Sequence, residues 1–278
     1  MARLVGLIAN RPDLCTRFAE QERAALTARN PSLEAWGWGI GFYQSGEILL
    51  KRRPIDDRGE IATNEIIAEV SANLLVAHVR RATVGALRTD NTQPFRYQQW
   101  MFAATGTVSG FASVREKLLA SLPDFLQRSF RGDTDTELLF YLALSFLHDQ
   151  NLLDHPSVGA RDVGSALQAS VGLLNRLTRD AGLAPSPINL LFAAPDFVVA
   201  ARHGAPMAFR VLAGREDFAP LFGQEGLGRM RAPALESCRL SAVASDFDGD
   251  EVPQDWTAMG PGAMLAFSRT DDPQQLTG

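Results

Sequence analysis

Cysteine is almost absent from this chain. Cys15 and Cys238 are the only two in 278 residues, which leaves no disulfide framework and no CxxC pair for zinc or redox chemistry. A reducing, cytoplasmic setting is the expectation. Histidine is equally sparse: His78, His148, His155 and His203 share no ligand spacing, so neither a metal site nor a cofactor is expected. Long apolar runs are missing too. The start, Leu4 to Ala9, is closed by Asn10-Arg11-Pro12, too short for a signal segment and far too short to cross a bilayer. Nor is charge of one sign gathered anywhere as a long run. Lys and Arg number 27 against 32 Asp and Glu, a formal net charge of −5, which excludes a phosphate-neutralising nucleic-acid binder as the default. Neither nucleic acid nor membrane is an expected partner.

What is present is a 46% hydrophobic, 21% charged composition, enough apolar surface for a sizeable core. Aliphatic and β-branched runs predict strands at 3–9, 73–80 and 99–103, and a hairpin at 39–43 and 47–51 around Ser45-Gly46. Helices are expected over 14–26, from Thr63-Asn64 onward, and over 167–177. Thr134-Asp135-Thr136-Glu137 has the Thr-x-x-Glu form of a capping box, opening an apolar helix from Leu138. Beyond Pro185-Ser186-Pro187, strands are expected at 188–193, 197–201, 207–212, 240–244 and 263–268. Sheets at both ends with helices between argue for an α+β layered domain whose two sheets share one core, spanning residues 1–278.

Four segments then stand in a telling order. They are Met1-Ala2-Arg3-Leu4-Val5-Gly6; Gly37-Trp38-Gly39-Ile40-Gly41-Phe42-Tyr43; Arg80-Arg81-Ala82-Thr83-Val84-Gly85; and Gly132-Asp133-Thr134-Asp135-Thr136-Glu137. A further loop, Asn91-Thr92-Gln93-Pro94-Phe95, follows the third. Together the sequence resembles the class II glutamine amidotransferase domain, of the N-terminal nucleophile type, in its small stand-alone form. The resemblance implies a four-layer αββα sandwich and hydrolysis of glutamine to glutamate and ammonia. It further implies a cysteine, exposed by loss of the initiator Met, acting as nucleophile with its own α-amino group as base.

The match fails at the chemistry. Position 2 is Ala2, whose methyl group cannot attack a carbonyl. Where the family has His-Asn-Gly at its oxyanion segment, this chain has Ala104-Thr105-Gly106, so the Asn amide donor is missing and only the Gly106 backbone N–H matches. Losing one such donor is worth about 3 kcal/mol of barrier. An engineered Cys-to-Ala change would not require the other two replacements, so natural loss is the simpler account.

The resemblance implies that Arg80 holds a ligand α-carboxylate, Thr83 donates to the same group, and Asp135 pairs with the α-amino group. Taken without it, Arg80 is a solvated strand residue, Thr83 a turn former and Asp135 a first-turn acid favoured by the helix dipole. Trp36 and Trp38 read as core aromatics at a hairpin entry, and Cys15 and Cys238 as buried structural thiols. Asp246-Phe247-Asp248-Gly249-Asp250-Glu251 invites a calcium reading, but its Gly precedes the third acid and strands flank it, so a solvated acidic loop is expected. The functional expectation is a catalytically degenerate amidotransferase-like protein that binds a glutamine-like or γ-glutamyl ligand, or a protein partner. The alternative is an active glutaminase, amidotransferase or γ-glutamyl amide hydrolase seen as a nucleophile-to-Ala variant, with Thr105 serving the oxyanion.

Overall fold

The computed structural model describes residues 3–21, 37–54, 70–80, 83–229, 233–247 and 251–276. Ala2, Trp36, the second half of the helix expected over 14–26 and the helix expected from Thr63-Asn64 lie outside them.

Alternation along the strands builds the layers. In β1 (Arg3–Ala9), Leu4 and Ile8 face one way and Val5, Leu7 and Ala9 the other, as side chains must in a pleated strand. β1 is central in a sheet with β2 (Gly37–Gln44), β3 (Glu47–Pro54) and β4 (Leu74–Arg80). A second sheet includes β5 (Phe95–Tyr97) and β6 (Trp100–Gly106). Later come β7 (Ile188–Ala194), β8 (Phe197–Arg202), β9 (Met207–Ala213), β10 (Arg239–Ser245), β11 (Thr257–Ala258), β12 (Met264–Ser268) and β13 (Gln274–Gln275). The first sheet runs β11-β9-β10-β1-β4-β2-β3 and the second β13-β12-β8-β7-β6-β5, with every pairing antiparallel. Leu4 and Ile8 pack with Val76, Met101, Ala103, Leu191, Val198 and Phe267 in the layer between the sheets.

Helices cover the outer faces. α1 (Pro12–Gln21) and α6 (Gly214–Arg229) lie on the first sheet, where Leu14, Phe18 and Phe218 meet Val5, Leu7 and Leu240. α2 (Phe111–Ala120), α3 (Asp124–Gln127), α4 (Asp135–Asp149) and α5 (Ala160–Asp180) cover the second. There Trp100, Phe102 and Phe192 face Phe140, and the Phe102 and Phe140 rings stack at 5.3 Å. The order is α, β, β, α, as the sequence led us to expect. α7 (Pro233–Glu236) is a single turn before β10. Among the described residues no helix is long and apolar enough to cross a membrane.

Local expectations fare unevenly. Thr134 does cap α4, its Oγ1 accepting from the Glu137 N–H at 3.2 Å. Glu137 does not complete the box, however; its carboxylate accepts instead from the N–H groups of Arg131 (3.2 Å) and Gly132 (2.8 Å). The loop before the helix turns back far enough for those two donors to win. α2 and α6 have no counterpart in the sequence reading; α2 buries Phe111, Val114 and Leu118 at helical spacing over only ten residues, and Pro220 interrupts α6. Cys15 and Cys238 are both buried, and neither forms a disulfide. Burial pushes the Cys15 thiol up to about 12, which makes it an inert packing residue. Trp38 is buried in the α1 layer, as its core reading required.

Gly39 shows why the hairpin needs glycine. It sits opposite His78 on β4, and any Cβ there would fall inside the contact radius of the Gln93 carbonyl oxygen. The following loop can therefore lie directly on β2 only if that position is bare. We predict that Gly39→Ala destabilises the protein by about 3 kcal/mol, read as a lowered urea midpoint; an unchanged midpoint would show that the loop moves aside freely.

Candidate active site

The site forms where the layer between the sheets stops being apolar. Following the alternation outward, Leu74 and Val76 on β4 are succeeded on the same face by His78 and Arg80. Met101 and Ala103 on β6 are succeeded by Thr105, and Val243 on β10 by Ser245. These polar side chains are all buried. His78, Arg80 and Thr105 adjoin a cavity of about 200 Å3 that is also lined by Thr83, Gly106, Asp135 and Asp246, among others. The three positions to which the resemblance gave ligand contacts, and the two oxyanion positions, therefore converge on one pocket of amino-acid size.

Each charged group already has partners in the protein. Arg80 donates through Nη1 to the Ala86 carbonyl (3.1 Å) and through Nη2 to those of Val84 (2.8 Å) and Gly85 (3.1 Å). Two of its five N–H groups have no acceptor among the described residues. Its solvated-strand reading fails, since the residue is only 4% exposed. Burial lowers its pKa, opposed by Asp133 and Asp135. Asp135 accepts from the Val108 N–H at 2.7 Å and from the Thr136 N–H at 2.9 Å, one bond per oxygen. Burial still raises its pKa against those bonds and against Arg80. The Thr83 and Thr107 hydroxyls lie 2.7 Å apart.

Two positioning elements escaped the sequence reading. Gln93 clamps β6: its Oε1 accepts from the Ala104 N–H at 2.6 Å and its Nε2 donates to the Ala104 carbonyl at 3.1 Å. Only the Asn91–Phe95 match hinted at that loop. The second is Asp246, expected in a solvated acidic loop. That expectation is corrected: Asp246 follows β10 with φ of 59°, a conformation Asp tolerates, and its carboxylate faces the pocket. It accepts from the Thr105 hydroxyl at 2.7 Å and from the adjacent Ser245 hydroxyl. The missed signal was position, because a strand of the central sheet ends one residue earlier. Among the described residues, no group of acids, histidines and cysteines could hold a metal ion.

The model of the family described as glutamine amidotransferases class-II matches residues 1–275. The chain belongs to that family. It is 27% identical over 269 residues to the probable glutamine amidotransferase DUG3 of Saccharomyces cerevisiae, covering 89% of this chain and 73% of that protein. To the putative glutamine amidotransferase YafJ of Escherichia coli it is 28% identical over 154 residues, covering 50% of this chain and 52% of that one. A solved glutamine aminotransferase class-II domain protein from Silicibacter pomeroyi superposes with a TM-score of 0.62 at 19% identity, covering 99% of this chain and 100% of that one. The class-II amidotransferase architecture, an N-terminal nucleophile hydrolase-like α+β fold with two antiparallel sheets and helices, is thus the fold of this chain.

Within this amidotransferase framework His78 is the one imidazole in the pocket wall. Burial, reinforced by the neighbouring Arg80 charge, lowers its pKa from 6.5 to about 3, against a hydrogen bond to the Ala104 backbone. Its imidazole is therefore neutral at physiological pH. Because the folded pKa lies below the unfolded one, its contribution to stability is complete above about pH 6.5 and is lost as pH falls toward 3. Glu137, raised by burial to about 7, acts oppositely: its contribution is complete below its unfolded pKa and is lost as pH rises through 7. We predict that the His78 ring resonances, assigned by comparison with His78→Gln, stay flat from pH 8 to pH 5. A midpoint near 6.5 would refute the buried, neutral assignment.

Proposed function

We propose that this class-II amidotransferase family member does not hydrolyse glutamine and uses the Arg80–Asp135 pocket to bind a small α-amino acid or γ-glutamyl ligand. The observation that carries the reading is the Thr105 hydroxyl. It has one proton, and that proton is donated to Asp246, so it is not free for an oxyanion on the substrate. Ala2 offers no nucleophile in the residue that covalently precedes Arg3. Two separate requirements of the reaction are thus unmet.

Binding is a different matter. Arg80 keeps two N–H groups and Asp135 keeps unused lone pairs, in a cavity of about 200 Å3. A zwitterion offers the matching carboxylate and ammonium. In a coupled glutamate assay the protein is expected to release no ammonia from glutamine above a no-protein control. Turnover that survives purification and disappears in Arg80→Ala would overturn the inactive reading.

Repair should need two steps. Ala2→Cys, checked for loss of Met1, is expected to remain at least about 100-fold less active than Ala2→Cys with Thr105→Asn, because one oxyanion donor is worth about that factor. Equal and high activity in the single variant would show that Thr105 suffices. Calorimetry with glutamine, glutamate and γ-glutamyl dipeptides should give binding that Arg80→Ala abolishes. If none of them binds while a protein co-purifies in fixed ratio, the fold serves a partner instead.

A further inference from the structure

A second cavity, of about 420 Å3, shares no lining residue with the Arg80 pocket. Its size is that of an ordinary small-molecule site. Three guanidiniums line it, Arg96 from β5 and Arg128 and Arg131 from the segment between α3 and α4. Two tyrosines, Tyr97 and Tyr141, and a single acid, Glu47, accompany them. Arg11 and Arg115 reach carboxylates at 2.9 and 2.7 Å. Among the described residues, no carboxylate comes within ion-pair distance, 4.0 Å, of Arg96, Arg128 or Arg131.

The arrangement is held in place from below. Tyr141 on α4 donates its hydroxyl to the Ser129 carbonyl at 2.8 Å, and Glu137 accepts the Arg131 and Gly132 N–H groups. The backbone that carries Arg128 and Arg131 is thereby fixed at both ends of its short span. Arg96 donates to the Ile48 carbonyl at 2.7 Å across to β3. The Tyr97 and Tyr141 rings meet edge to face at 6.2 Å, giving the cavity a rigid aromatic wall. Arg96, Arg128 and Arg131 are all exposed at one mouth, and neither Arg128 nor Arg131 reaches a carboxylate of the described residues. In a chain with more carboxylates than cations, three arginines against the single acid Glu47 leave the mouth positively charged, which points to an anion.

We propose that this cavity binds a small ligand bearing a phosphate group, its oxygens held by the forks of Arg128 and Arg131, with Arg96 adding to the positive charge of the site. Guanidinium presents paired donors that match phosphate oxygens, and the Tyr97 ring offers an apolar face to the rest of the ligand. The proposal is independent of what the Arg80 pocket does.

Calorimetry at low salt with AMP, pyrophosphate and citrate tests it. At least one of the two phosphate-bearing probes should bind saturably, and more weakly as salt rises. Affinity should fall at least about tenfold in Arg128→Ala/Arg131→Ala, with the far-ultraviolet circular dichroism unchanged. Arg131→Lys, which keeps the charge but loses the fork, should also weaken binding, and it serves if the double variant does not fold. Glutamine binding should be the same in all of these variants. Three results would overturn the proposal: no saturable binding of AMP or pyrophosphate at millimolar concentration, affinity indifferent to the arginine changes, or citrate bound more tightly than either phosphate.

Discussion

Everything in the pocket depends on the bidentate grip of Gln93 on the backbone of Ala104. That pair of hydrogen bonds ties the loop before β5 to the end of β6, and the same loop lies on the bare backbone of Gly39. Three segments distant in sequence are thereby held in one register at the mouth of the layer between the sheets. Thr105 and Gly106 follow immediately on the gripped residue. Their places relative to Arg80 on β4 and Ser245 on β10 are fixed by backbone bonding rather than by side-chain packing, which tolerates drift. A buried amide whose donor and acceptor are both satisfied also avoids the penalty of an unmade bond.

This has a consequence for how the charged residues are understood. A buried Arg and Asp kept without a partner would be costly, and their survival would then argue for a ligand. Here neither is without a partner. Arg80 binds three carbonyls of the loop at 84–86, and Asp135 binds two N–H groups at the start of α4. Both would be retained for the fold even if no ligand ever entered. The case for binding therefore rests on the donors and lone pairs left over and on the cavity they border, a narrower basis than their mere presence.

The strands were legible in the sequence because they are local aliphatic runs, Leu4 to Ala9 and Ile188 to Ala193 among them. Which face Leu4, Ile8 or Leu191 takes was not, since β1 and β7 are apolar and buried on both sides. The apolar core of α4 was legible for a similar reason, since Thr134 really does cap it. What could not be seen was anything that required two distant segments to meet. Glu137 fits a capping-box pattern, yet it bonds to Arg131 and Gly132 because the chain folds back there. Asp246 sits among acids that look solvated, yet its strand delivers it to Thr105, 141 residues away.

The Thr105–Ser245–Asp246 cluster also bears on how a catalytic site could be lost without losing the protein. An oxyanion hole needs donors whose protons point at the substrate, and such donors are by design unsatisfied until the substrate arrives. Replacing the side-chain donor by a hydroxyl that bonds to an adjacent carboxylate turns that standing deficit into an internal bond. Thr105 and Ser245 both donate to Asp246 at the end of two central strands. The change is favourable for folding and unfavourable for acyl transfer. On the proposed inactive reading the second effect no longer matters, and only the first remains to act on the sequence. That reading accounts for why the Thr105 and Ser245 hydroxyls are both spent on Asp246 within the protein.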